Sequence, residues 1–107
     1  MKNKRSKATD IPMSVKRKVW ERDNHCCVIC GMNGSVMPNA HFISRAHGGL
    51  GIEKNIFTAC TRFNPNDCHN RFDNGTKEER ELLRLKVSNY FKSIYPDWNE
   101  EDLYYRK

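Results

Sequence analysis

Apolar positions recur with helical spacing in two stretches of the chain. Behind Ile11-Pro12, Val15 and Val19 stand four apart with Trp20 beside them, which predicts a helix that Asp23-Asn24 ends. Pro12 is tolerated in its first turn, where backbone N–H groups lack helical partners in any case. Thr76-x-x-Glu79 has the spacing of a capping box. Leu83, Val87, Tyr90, Phe91 and Ile94 then share one face up to Pro96, so a C-terminal helix is expected over about 77–95. Aromatics at that spacing read as core rather than as a platform for stacked bases.

Shorter signals fill the rest of the chain. Residues 36–42 and 56–60 are apolar or β-branched runs expected to pair as an antiparallel hairpin. Ser44 to Asn55 separates them, and Gly48-Gly49 and Gly51 make it too glycine-rich for either regular state. A short helix is expected around Asp67 to Asp73, with Asn66 or Asp67 as its cap. Asn99-Glu-Glu-Asp102 starts a last turn that ends in Leu103-Tyr104-Tyr105. No internal repeat is present. The expected fold class is α+β with a minimal sheet, as one domain over 11–107 behind a flexible basic arm over 1–10.

Length and charge narrow the class. A chain of 107 residues makes one small domain. It buries about 60–65% of its surface on folding, so a staple beyond the apolar core is expected. No apolar run approaches the ~20 residues of a membrane span. The Lys-rich start is not followed by the apolar segment of a signal peptide, and an intracellular domain with no membrane partner is expected. Lys2, Lys4, Arg5, Lys7, Lys16, Arg17 and Lys18 stand against Asp10 alone in residues 1–18, so this segment carries the whole net charge of +6. A basic segment on a neutral body suits a polyanion, through release of condensed counterions. A solvated tail is the competing account, and charge does not choose between DNA, RNA and an anionic surface.

The cysteines identify the staple. Five of them, at positions 26, 27, 30, 60 and 68, are an odd count that argues against a secreted disulfide scaffold. Cys27-Val-Ile-Cys30 followed by Gly31 is a knuckle that lets two thiolates converge on one ion. Cys60 and Cys68 can supply the other half, although their spacing is wider than usual. Four thiolates favour zinc, and four protein ligands leave no open position for chemistry, so the expected ion is structural Zn²⁺. Buried or reactive free thiols are the alternative. Cys26 is the spare, able to compete in a C-x3-C register but expected as a bystander.

Polar residues inside this frame form a second pattern. His41 follows the first strand, Asn55 precedes the second, and His69 directly follows Cys68. The chain here resembles the HNH endonuclease family, whose core is a treble-clef-like ββα-metal motif. The resemblance rests on Ala40-His41-Phe42-Ile43-Ser44-Arg45, Gly48-Gly49, Asn55-Ile56-Phe57-Thr58-Ala59-Cys60 and Cys68-His69-Asn70-Arg71-Phe72-Asp73, with Cys27-x2-Cys30 as the zinc half-site. It spans about residues 15–75, with the core about 20–75, and is most similar to small phage-type members. It implies that His41 activates water, that His69 and Asp73 bind a catalytic Mg²⁺, Mn²⁺ or Ni²⁺, and that Asn55 orients the His41 loop. It also implies DNA as substrate, 5′-phosphate and 3′-hydroxyl products, and a link to phage DNA packaging proteins. Two departures stand out. Ala40 occupies the position where many members carry a further metal ligand, and Thr61 to Asp67 is an insertion between the two cysteines.

The chemistry of these positions can be stated without the family. Imidazole has an ordinary pKa near 6.5 and is mostly neutral at pH 7–8, ready to take a proton from water. His69 and Asp73 are four apart and share a helix face, where they could hold one hard cation between them. Arg45 and His47 could touch phosphate, as could Lys16, Arg17 and Lys18. Each has a duller account: His41 as a satisfied core histidine, His69 as a zinc ligand, Asp73 as a partner of Arg71 or Arg62, and Arg45 and His47 as a solvated loop face. His25 has no assigned role. The leading expectation is a metal-dependent DNA endonuclease; the alternatives are a non-catalytic zinc-stapled nucleic-acid-binding module and a small interaction adaptor.

Overall fold

The computed structural model describes residues 3–106. Its elements run α1 (Lys4–Thr9), α2 (Met13–Arg22), β1 (Val36–His41), a 3-10 turn (Arg45–His47), β2 (Ile56–Cys60), α3 (Cys68–Asn74), α4 (Lys77–Ile94) and a second 3-10 turn (Glu100–Leu103). The architecture is α+β, with β1 and β2 as a two-stranded antiparallel sheet. Among the described residues, no helix is long and apolar enough to cross a membrane.

The segment expected as a flexible arm is a correction. Met1 and Lys2 lie outside the described residues, but Lys4–Thr9 is helical, with the Asn3 side chain accepting from the Ser6 N–H at 2.8 Å. Tertiary bonds hold this helix down. Gly51 N–H donates to the Ala8 carbonyl at 2.9 Å, Arg5 Nη2 donates to the Ala46 carbonyl at 2.7 Å, and Arg45 pairs with Asp10. Gly51 is required for the approach, because a Cβ there would stand 1.8 Å from the Asp10 carbonyl oxygen. None of these partners is near the arm in sequence.

Helix α2 starts one residue later than the sequence suggests, with Pro12 at the N-cap position, and ends at Asp23 as expected. Its last turn carries a buried polar hub that no local pattern announces. Arg22 is bidentate on Asp23 at 2.7 and 3.1 Å and also donates to the Ile56 and Glu53 carbonyls. The other donors to Asp23 are the Thr58 N–H at 2.8 Å and the Tyr90 hydroxyl at 2.6 Å. Every charge in the hub has a partner, which is the condition for burying it, and the hub joins α2, β2 and α4. His25, without a role in the sequence, stacks on Trp20 with ring centroids 4.8 Å apart.

Strand β2 is buried along its whole length. The register pairs Met37 with Ala59 and Ala40 with Phe57, so three steps along β1 match two along β2. This bulge contains Pro38, which has no N–H to give the ladder. Helix α4 buries Leu83, Val87 and Phe91. Phe91 stacks on Trp98 at 5.5 Å and meets Phe42 and Phe57 edge-on, a cluster in which face-to-edge contacts add to burial. Two capping expectations are modified. Thr76 Oγ1 accepts from the Glu79 N–H, but the Glu79 carboxylate turns to Arg71 instead of closing the box. Asp67 is the N-cap of α3 in position only, since its side chain makes no capping bond.

Candidate metal centre and adjoining cleft

Four cysteines converge where the knuckle, the end of β2 and the start of α3 meet. The Sγ atoms of Cys27, Cys30, Cys60 and Cys68 all lie within 4.8 Å of one another, positioned to bind a metal ion. The Cys30 and Cys60 sulfurs are 3.9 Å apart, against about 3.8 Å for tetrahedral thiolates at the usual zinc–sulfur bond length. The knuckle is closed by Gly31, whose N–H donates to the Cys27 carbonyl at 2.9 Å with φ at +79°, a conformation that suits glycine. Backbone N–H groups of Cys30 and Cys68 point at the sulfurs of Cys27 and Cys60, at 3.4 and 3.0 Å, as they would toward thiolates. Burial pushes the Cys60 and Cys68 thiols up. It acts the same way on Cys30, where hydrogen bonds from Met32, Asn66 and Cys27 outweigh it and bring the thiol down to about 7. A cation is what would let the buried pair ionise. Cys26 stays outside the cluster, its thiol donating to the Asn24 carbonyl.

The second cluster lies on the other side of α3. His41, at the end of β1, and His69 and Asp73, on successive turns of α3, line one open cleft of ≈ 400 Å³ together with Ile11, Lys16, Asn39, Ser44 and Arg45. His69 Nε2 and Asp73 Oδ2 are 3.4 Å apart and partly exposed. His41 Nε2 lies 2.9 Å from the Thr9 carbonyl. A carbonyl can only accept, so Nε2 carries the hydrogen and Nδ1 keeps the lone pair. Burial holds His41 below the ordinary imidazole range, opposed by that same hydrogen bond. Burial likewise raises Asp73, against the pull of His69, His41 and Arg84.

Asn55 supports the loop that leaves His41. Its side chain is fully buried, accepts from the Ile43 N–H at 2.8 Å, and donates to the carbonyls of Ile43 and Leu50 at 3.2 and 2.8 Å. Three backbone bonds from one amide close a loop that glycine alone would leave loose.

The expected phosphate contacts divide. Lys16 and Arg45 reach the cleft; Arg17 and Lys18 are exposed on α2 and do not line it. His47 bonds Ser44 at 2.7 Å and lines a neighbouring groove with Arg80, Arg84 and Tyr104. Several residues at the site were not anticipated. Arg84 lies 4.3 Å over the Phe42 ring and donates to its carbonyl, and nothing in its local sequence signals this. Asn39 had a signal, since it stands two residues before His41 in a strand and so faces the same way. The Thr9 carbonyl is a backbone group and leaves no mark in a sequence. Comparison of the chain with protein-family models, with curated proteins and with solved structures returns no match.

Proposed function

We propose that the protein is a divalent-metal-dependent endonuclease that hydrolyses DNA phosphodiester bonds, with zinc as a structural ion on Cys27, Cys30, Cys60 and Cys68. The observation that carries this reading is the convergence in one cleft of His41, with its tautomer set, and the His69–Asp73 pair. The order of strand, long loop, strand and short helix supports a relation to the ββα-metal arrangement of HNH nucleases. His69 and Asp73 suit a hard or borderline cation such as Mg²⁺, Mn²⁺ or Ni²⁺. When bound, such an ion supplies positive charge to the phosphate and the departing oxygen.

The chain's own groups do the rest. His41 Nδ1 takes the proton of the attacking water, and the burial that keeps the ring neutral at pH 7 keeps that lone pair free. The Thr9 carbonyl, already bonded to Nε2–H, stabilises the imidazolium that results. Lys16 and Arg45 hold phosphates of the bound strand. Asn55 keeps the loop behind His41 in one conformation.

A binding-only module is the second reading, favoured by Ala40, which is fully buried and cannot ligate. Purified protein and supercoiled plasmid distinguish the two, with Mg²⁺ or Mn²⁺ against EDTA. The expected result is metal-dependent nicking or linearisation that falls about 10²–10⁴-fold in His41→Ala, with zinc content and folding unchanged. Salt-sensitive DNA binding without cleavage in either protein selects the binding module.

A further inference from the structure

We infer that Asn39 is a third ligand to the divalent cation, supplying through its side-chain oxygen what Ala40 cannot. This rests on the reading of His69 and Asp73 as a cation site and adds a residue to it. Among the described residues, two side-chain polar atoms are buried without a hydrogen-bond partner: Asn39 Oδ1 and Thr58 Oγ1. Thr58 belongs to the interior strand β2. Asn39 belongs to the lining of the cleft that holds His41, His69 and Asp73. A buried amide oxygen with no donor is costly, and a persistent one calls for a ligand.

The strand explains how Asn39 comes to line the cleft. Side chains alternate along β1, so Ala40 is turned into the core at 0% exposure while Asn39 and His41 take the opposite face. The register irregularity between Met37 and Ala40 lies beside this position. The donor set then contains one imidazole, one carboxylate and one neutral amide oxygen. Two oxygens out of three favour Mg²⁺ or Mn²⁺ over softer ions, and three protein ligands leave half an octahedral shell for water and phosphate.

The test is Mn²⁺ binding by the full-length, zinc-loaded protein without DNA, read by electron paramagnetic resonance of free Mn²⁺. Wild type is expected to hold one Mn²⁺ that His69→Ala loses. Asn39→Ala is expected to weaken the affinity about tenfold or more, as loss of a ligand should at least match loss of a supporting group. Asn39→Asp, which puts a charged oxygen in place of the neutral one, is expected to bind Mn²⁺ more tightly than wild type. Zinc content and circular dichroism check the fold of each variant. An affinity for Asn39→Ala within twofold of wild type, while His69→Ala still loses the ion, overturns the role of Asn39 and leaves the cation site standing. Should Asn39→Ala fail to fold, an unchanged affinity in folded Asn39→Asp overturns it equally. A wild type without a Mn²⁺ site overturns both readings.

Discussion

The cysteine cluster and the histidine cleft share helix α3 and differ in almost every other respect. Cys68 opens the helix with its thiol at 0% exposure, and His69, the next residue, belongs to the cleft. Adjacent helical side chains diverge, so one short helix serves a closed set of four sulfurs and an open set of nitrogen and oxygen donors. The closed set is positioned to bind an ion, which would hold the knuckle, β2 and α3 together. The open set leaves the side chains of His69 and Asp73 31% and 43% exposed beside an open cleft. On the proposed reading, folding and chemistry are divided between the two faces of a seven-residue helix, and the first must succeed for the second to be aligned.

That division predicts a graded set of failures. The largest belongs to the closed set. Cys60→Ser is expected to lose the metal and with it cooperative folding, since ion binding at such sites is worth roughly 10 kcal/mol or more; zinc analysis and thermal denaturation would check it. Asn55→Ala should come next, because the buried partners of its amide are left unpaired. About 3 kcal/mol of stability is expected to go, from a penalty of ~1–3 kcal/mol for each stranded group, together with plasmid cleavage, and urea denaturation would measure the former. Equal cleavage by a destabilised Asn55→Ala protein would separate the loop from the cleft.

Deleting residues 1–10 should have a smaller effect and a more informative one. It removes the Thr9 carbonyl from His41 and Asp10 from Arg45. A mere DNA-binding tail would raise KM and flatten the salt dependence only. With His41 in its proposed role, loss of the Thr9 carbonyl is expected to lower kcat as well, by about tenfold. The smallest expected effect is on pH. Burial holds His41 below the ordinary imidazole range and the proposed base acts when neutral, so the acid limb of kcat/KM should lie below pH 6.5, with activity level from there through pH 7. An acid limb at or above 6.5 would show that burial does not govern this histidine.

Local chemistry was legible along the chain. The strand pair, the end of α2, the Thr76 cap, the apolar face of α4, the Cys27–Cys30 knuckle and the i, i+4 placement of His69 and Asp73 each rest on signals that fall within a few residues of one another. Asn55 was expected, from the resemblance, to orient the His41 loop, and its amide bonds the backbone groups of Ile43 and Leu50. What the sequence determined by itself is therefore the set of elements and the residue types available to them. Tertiary structure alone decided the rest: that residues 4–9 form a docked helix, that Asp23 gathers Thr58 and Tyr90, and that Thr9 faces His41. These contacts join residues some 32 to 67 positions apart, through Thr9 with His41 and Asp23 with Tyr90, and several use backbone groups that every residue carries. Spacing rules reach one helical turn or one strand; which carbonyl meets which side chain depends on how the buried faces pack.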